Sequence, residues 1–169
     1  EIDHVCFRCE TVAEYLDTKN RLGPYGSALE EGMIGGRPIL TFLLTEPIVF
    51  KEHWRIRCLE IPCPKPGRHY ARGLEHAEVV LCDKSESEDG KPLFMDSRPI
   101  LQAFMAEHPD VAFDERAINK DINADVSVSI RDGVSVKYHA RPLYEVCAYE
   151  KEHGMRVAVP QDYFLDVIS

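Results

Sequence analysis

The segments Ile2-Asp3-His4-Val5-Cys6-Phe7-Arg8 and Leu74-Glu75-His76-Ala77-Glu78-Val79-Val80 lie 72 positions apart and carry the same text: apolar, acid, histidine, apolar. Each is followed by a helix-like stretch and then by further β-type segments. A supersecondary unit that returns at a fixed spacing indicates a duplicated module. Two histidines at the same place in equivalent strands would meet across a pseudo-twofold axis, which points to a shared metal site.

Around these strands the periodicities alternate between 2 and 3.6. Residues 2–9 read as a strand, and Thr11 to Leu22 as a helix with Thr11 as N-cap, Glu14 three residues later and Gly23-Pro24 as the stop. Residues 26–34 and 38–50 read as strands joined by Gly35-Gly36, a strong hairpin signal. A strand at 54–61 ends at the proline-rich turn Pro62 to Gly67. The second half repeats the order: a strand at 74–82, a charged loop at 83–96, a helix from Arg98 to Glu107, and strands at 111–118, 125–131 and 133–140. A short helix at 142–152 and a tail of uncertain role follow. The predicted fold is α+β: two βαβββ modules, 1–68 and 69–154, forming a cupped mixed sheet with helices on its convex side, and a tail at 155–169, all one structural unit.

Composition narrows the partners. The formal charge of −9 argues against nucleic acid or an anionic membrane surface, and no apolar run is long enough to span a bilayer. A small molecule remains the expected partner, with a monomer or weak homodimer as the expected state. The six cysteines sit mostly in apolar β-type text, where free thiols act as small hydrophobes, and they fit a reduced, cytoplasmic setting. Cys6 and Cys9 have half the spacing of a zinc site, but residues i and i+3 of a strand face opposite sides.

Strand parity sharpens the histidine argument. His76 and Glu78 share one face while Ala77, Val79 and Leu81 share the other; Ser135, Lys137 and His139 oppose Val134, Val136 and Tyr138; and His4 opposes Val5 and Phe7. If the polar faces line the inside of a curved sheet, His4, His76 and His139 converge. Glu60 ends the last strand of the first module as His139 ends that of the second, which makes it the fourth candidate ligand; its alternative is a rim carboxylate paired with Arg55 or Arg57. Imidazoles with one carboxylate suit zinc, nickel, iron or manganese better than calcium or magnesium. Glu78 is the candidate proton-transfer base, while Arg37 and Lys137 are candidates for holding a substrate anion.

Several blocks carry a family resemblance: Asp3-His4 with Arg8-Cys9, Met33-Ile34-x-Gly36-Arg37-Pro38-Ile39, Glu46-Pro47 with His53-Trp54, Leu59-Glu60-Ile61-Pro62-x-Pro64, Glu75-His76-x-Glu78-x-Val80, and Asp132-Gly133 leading to Lys137-Tyr138-His139. Over residues 2–150 the chain resembles the YecM family, within the vicinal oxygen chelate superfamily of glyoxalase I and the extradiol dioxygenases. The resemblance implies paired modules cupping a divalent metal, with His4, Glu60 and His76 on ligand positions, and chemistry of an isomerase, lyase or oxygenase on a substrate with neighbouring oxygens. The family itself brings no assigned reaction. The superfamily usually has glutamate at the fourth position, where this chain offers Lys137 and His139. Either His139 replaces the acid, or Lys137 fills the space and leaves a non-catalytic binding or interaction module with a degenerate site.

Overall fold

The computed structural model describes residues 2–82 and 92–168, with side chains to residue 165. Seven strands form one mixed sheet: β1 (Ile2–Arg8), β2 (Gly26–Ile34), β3 (Arg37–Phe50), β4 (Trp54–Pro62), β5 (Gly73–Val80), β6 (Asp125–Arg131) and β7 (Val134–His139). Their spatial order is β2-β3-β4-β1-β5-β7-β6. Within each half the first strand pairs in parallel with the last, β1 with β4 and β5 with β7, while β1 and β5 meet antiparallel at the centre. That is the expected pseudo-twofold arrangement.

Local chemistry explains the elements. Helix α1 (Val12–Leu22) starts where the Thr11 hydroxyl accepts from the Glu14 N–H at 3.1 Å, and Glu14 accepts from the Glu10 N–H at 2.8 Å. This is a capping box displaced by one residue, satisfying donors that a helix start leaves free. The β2–β3 turn places both Gly35 (φ 57°) and Gly36 (φ 82°) in the left-handed region, as a two-residue hairpin with the sheet's twist requires.

Helices α1 and α2 (Arg98–Glu107) cover the convex face. Under α1 lies a core of Tyr15, Leu40, Phe42, Leu59 and Ile61, against which Val5 and Phe7 pack; under α2 lies a second core of Leu101, Ile118 and Val126 with Tyr138. Helix α3 (Leu143–Glu152) departs from the expected layout. It lies over the concave face, where Leu143, Val146 and Glu150 line a cavity together with His4, Glu60 and Glu78.

The strand expected at 111–118 is reduced to one bridge, Asp114 to Ser127. The Asp114 carboxylate accepts from the Arg116 N–H at 3.0 Å, a local turn that competes with the sheet ladder. Most of the charged loop expected at 83–96 lies outside the described residues; Leu93–Met95 form a 3₁₀ turn. The tail returns to the first module. The Met33 N–H donates to the Val157 carbonyl at 2.8 Å beside β2, and in α4 (Tyr163–Ile168) Phe164 stacks on Tyr15 with ring centroids 5.9 Å apart. Among the described residues no helix is long and apolar enough to cross a membrane.

Candidate metal centre

The central antiparallel pair builds the site. Register sets His4 opposite Glu78 and Cys6 opposite His76, so the pseudo-twofold exchanges the two histidines. All three expected imidazoles are buried on the concave face: His4 is 1% exposed, His76 3% and His139 0%. The ring centroids of His76 and His139 lie 6.2 and 5.9 Å from that of His4.

Glu78 is the hub. Its Oε1 lies 3.5 Å from His4 Nε2, 3.2 Å from His76 Nε2 and 3.0 Å from Lys137 Nζ, and its Oε2 lies 3.8 Å from His139 Nε2. Glu60 turns into the cup, with Oε2 3.3 Å from His76 Nε2. It does not sit with Arg55 and Arg57, which line a separate cavity beside Cys58.

Two acids orient the histidines. Asp3 Oδ2 accepts from His4 Nδ1–H at 2.8 Å, and Glu75 Oε1 lies 3.5 Å from His76 Nδ1. Neighbours on a regular strand face opposite ways. Here the β1–β5 ladder shifts register between Ile2 and His4 and again between Cys6 and Phe7, so Asp3 and Glu75 are the two unpaired bulge residues. A bulge re-aims a side chain, and both acids turn toward their own histidine. Sequence parity missed this role for Asp3 and Glu75, although the repeated acid-His dipeptide was its signal. Cys6, at 0% exposure beside Glu60 and His76, and Asn123, whose Oδ1 lies 3.2 Å from His139 Nδ1, were also missed. Asn123 adopts φ 49° outside any strand, where sequence periodicity carries no information.

Register distinguishes the two candidates for the fourth position. In the first module Glu60 pairs with Cys6, two residues beyond His4; in the second, Lys137 pairs with Glu78, two residues beyond His76. Lys137 is therefore the counterpart of Glu60. His139 pairs with Val80 one pleat further on and meets the cluster from its side. Arg37 is not brought to the cup: it does not line the cavity, and its neighbours include Cys63 and Tyr163 at the opening of β3.

The charges are strongly coupled. Burial opposes ionisation of Glu78, but His4, His76 and Lys137 hold its carboxyl far below the ordinary range. Burial likewise disfavours the charged form of His4, yet the Glu78 and Asp3 carboxylates outweigh it and raise the imidazole to about 10. Burial is also outweighed at His76, by hydrogen bonds with Cys6, Glu60, Glu75 and Glu78, and at Lys137, by Glu78 and Glu60, so both move upward, whereas burial dominates at His139 and lowers it.

The donor set fits a divalent ion. Bonds of about 2.0–2.2 Å to nitrogen and oxygen, set tetrahedrally, put ligand atoms roughly 3.3–3.6 Å apart. Glu78 Oε1 lies 3.5 Å from His4 Nε2 and 3.2 Å from His76 Nε2, and these three residues offer ligand atoms within 4.8 Å of one another; Glu60 forms a second such group with His76 and Cys6. His4 Nε2 is buried, with Glu78 Oε1 at 3.5 Å but no hydrogen-bond partner among the described residues, an arrangement that costs free energy unless something binds there.

A mixed seven-stranded sheet of two similar halves carries a buried His/Glu cluster where β1 meets β5. The YecM protein family model matches residues 1–150, and the chain belongs to that family. It is 35% identical to Protein YecM of Escherichia coli (strain K12) over 91 residues, which cover 54% of this chain and 48% of that protein. It is 28% identical over 81 residues to an uncharacterised protein of Haemophilus influenzae, covering 48% of this chain and 42% of the relative. These matches span about half the length of the curated relatives. Among solved structures, one titled Structural Genomics, Protein EC4020 superimposes with a TM-score of 0.66 at 26% identity, covering 88% of this chain and 76% of the other.

Proposed function

We propose that the cup holds one divalent cation on His4, His76 and Glu78 with Glu60 alongside, and that it binds a small molecule through neighbouring oxygens. The observation that carries this reading is the buried His4 Nε2, without a hydrogen bond among the described residues and set with His76 and Glu78 so that their ligand atoms lie within 4.8 Å of one another. The ligand would enter the cavity of about 420 Å³ between the sheet and α3. A bound ion supplies Lewis-acid polarisation of a substrate oxygen, the chemistry of an isomerase, lyase or oxygenase. Asp3 and Glu75 fix the ring orientations and leave each Nε2 facing the cup. Glu78, whose Oε2 lies 3.8 Å from His139 Nε2, would take a proton from a ligand and share it with His139. Two imidazoles and a carboxylate favour zinc, nickel, iron or manganese.

Lys137 favours a second reading. Its ammonium lies 3.0 Å from Glu78 Oε1 and 3.2 Å from His76 Nε2, where it offsets carboxylate charge as an ion would. In that case the cup is a metal-free binding or interaction module. Elemental analysis of protein purified without a metal-affinity tag, followed by calorimetric titration of chelator-treated protein, separates the two. The metal reading expects one equivalent per chain, with binding lost in His4→Ala and His76→Ala. Failure to bind zinc, nickel, manganese or ferrous iron under any loading condition would leave the Lys137 reading.

A further inference from the structure

The concave face continues past the cluster into a larger hollow of about 870 Å³, lined by the hairpin end of β6 and β7, the 69–75 segment and Arg8. Register places Ser127 opposite Lys137 and Ser129 opposite Ser135, so all three hydroxyls share the face of Lys137. The opposite face of the same strands carries Val126, which packs in the second core. Small hydroxyl side chains on an open concave wall leave room for a ligand and offer both donors and acceptors.

Arg8 closes the wall nearest the cluster. It is only 6% exposed, yet its Nη1 is buried without a hydrogen-bond partner among the described residues. Its Nε and Nη2 are held by Glu75 Oε2, and its guanidinium carbon lies 4.7 Å from the centre of the Tyr70 ring. An arginine fixed by a carboxylate on one edge and an aromatic ring on its face has little freedom left to lose on binding, and its remaining edge suits an oxyanion. Arg131 stands exposed at the end of β6 on the rim. Of the carboxylates in the wall, Glu75 and Asp114 are each engaged by an arginine, and Asp132 belongs to the β6–β7 turn.

The geometry points to an oxyanion-binding lobe in this hollow, one that receives a carboxylate or phosphate on Arg8, Arg131 and the serine hydroxyls. Ser135 and Lys137 are two residues apart on β7, about 6.6 Å along a strand. A ligand using both lobes is therefore elongated, with its anionic group about 7 Å or more from the oxygens that meet the cluster. That the two ends belong to one ligand rests on the metal-site reading; anion binding in the outer lobe does not.

The test uses the whole chain, stripped of metal and isotope-labelled, titrated separately with inorganic phosphate and with acetate while amide and arginine side-chain NMR shifts are followed. Saturable shifts are expected at Arg8, Ser127, Ser129 and Ser135, and which probe saturates first distinguishes phosphate from carboxylate. Ser129→Asp, which puts a like charge on an exposed position of the wall, should weaken that binding at least tenfold, as should Arg131→Glu. Both sites are exposed, so their variants keep the fold. His4→Ala should leave anion binding intact, so a failed metal site and a failed anion site give different results. Absence of saturable shifts at these residues with either probe, or equal affinity in Ser129→Asp and Arg131→Glu, overturns the proposal.

Discussion

Replacing Lys137 with methionine should tighten metal binding. The ammonium lies 3.0 Å from Glu78 Oε1 and 3.2 Å from His76 Nε2, so an ion bonded to those atoms must push it outward. At about 5 Å, a dication and a monocation repel by about 1.7 kcal/mol in bulk water and by about 7 kcal/mol at an effective dielectric of 20. With the side chain 27% exposed, the true cost lies between these limits, and the lower limit already gives roughly a tenfold gain in affinity on removing the charge. The same change leaves Glu78 without its ammonium partner in the metal-free protein. That should lower apo stability by about 1–2 kcal/mol, or roughly 2–8 °C in Tm. Competition with a chromogenic chelator reads the affinity, and thermal unfolding with and without zinc reads the crossover. Lys137→Met protein that binds zinc no more tightly than wild type refutes the placement of the ammonium in competition with the ion. Lys137→Glu, which makes the second module match Glu60 of the first, should tighten binding further.

Asp3→Asn should reduce metal affinity about 10- to 100-fold while the fold persists, because Asp3 Oδ2 orients His4 and also accepts from the Leu143 N–H at 2.9 Å; competition with the same chelator measures it, and unchanged affinity removes Asp3 from the site. Burial opposes ionisation of Glu75, but hydrogen bonds from His76 and Arg8 lower its pKa to about 2, so its contribution is full above about 4.5 and disappears as pH falls through about 2. Denaturant titrations of Glu75→Gln should therefore lack part of the wild-type stability loss across that window, about 1–2 kcal/mol after allowing for partial exposure; parallel curves would contradict the pairing. Residues 1–70 and 71–169 produced separately should each fail to fold, since the division opens the β1–β5 pairing and exposes two strand edges. Two soluble halves with cooperative unfolding would show that the modules are independent.

Much of the site was legible because its information is local. His4 and His76 announce themselves by repetition, and a strand's period of two puts Glu78 with His76 and Lys137 with His139 without knowledge of any partner strand. Gly35-Gly36 marks its hairpin because few other residues accept two successive positive φ angles. What stayed hidden depends on pairing between distant segments. The equivalence of Lys137 and Glu60 follows from register against β5 and β1, which no single strand encodes. The bulges at Asp3 and Glu75 are likewise properties of a strand pair. The 111–118 segment has strand-like composition, but the Asp114 side chain diverts it into a turn. For α3, amphipathicity shows that one face is buried, and nothing in that pattern says which side of the sheet buries it.

The return of the tail to the first module has a consequence for synthesis. Strands β1–β4 and α1 are complete once residue 62 has left the ribosome, but β2 gains its neighbour only with Val157, and Tyr15 its stacking partner only with Phe164. At about 5–20 residues per second, the intervening stretch of roughly 100 residues takes about 5–20 s to make. During that time the nascent first module holds an open strand edge and an uncovered aromatic surface beside it. Strands β1–β4 are thus completed by residues made about 100 positions later, and the interval between them is when a nascent-chain chaperone has something to bind.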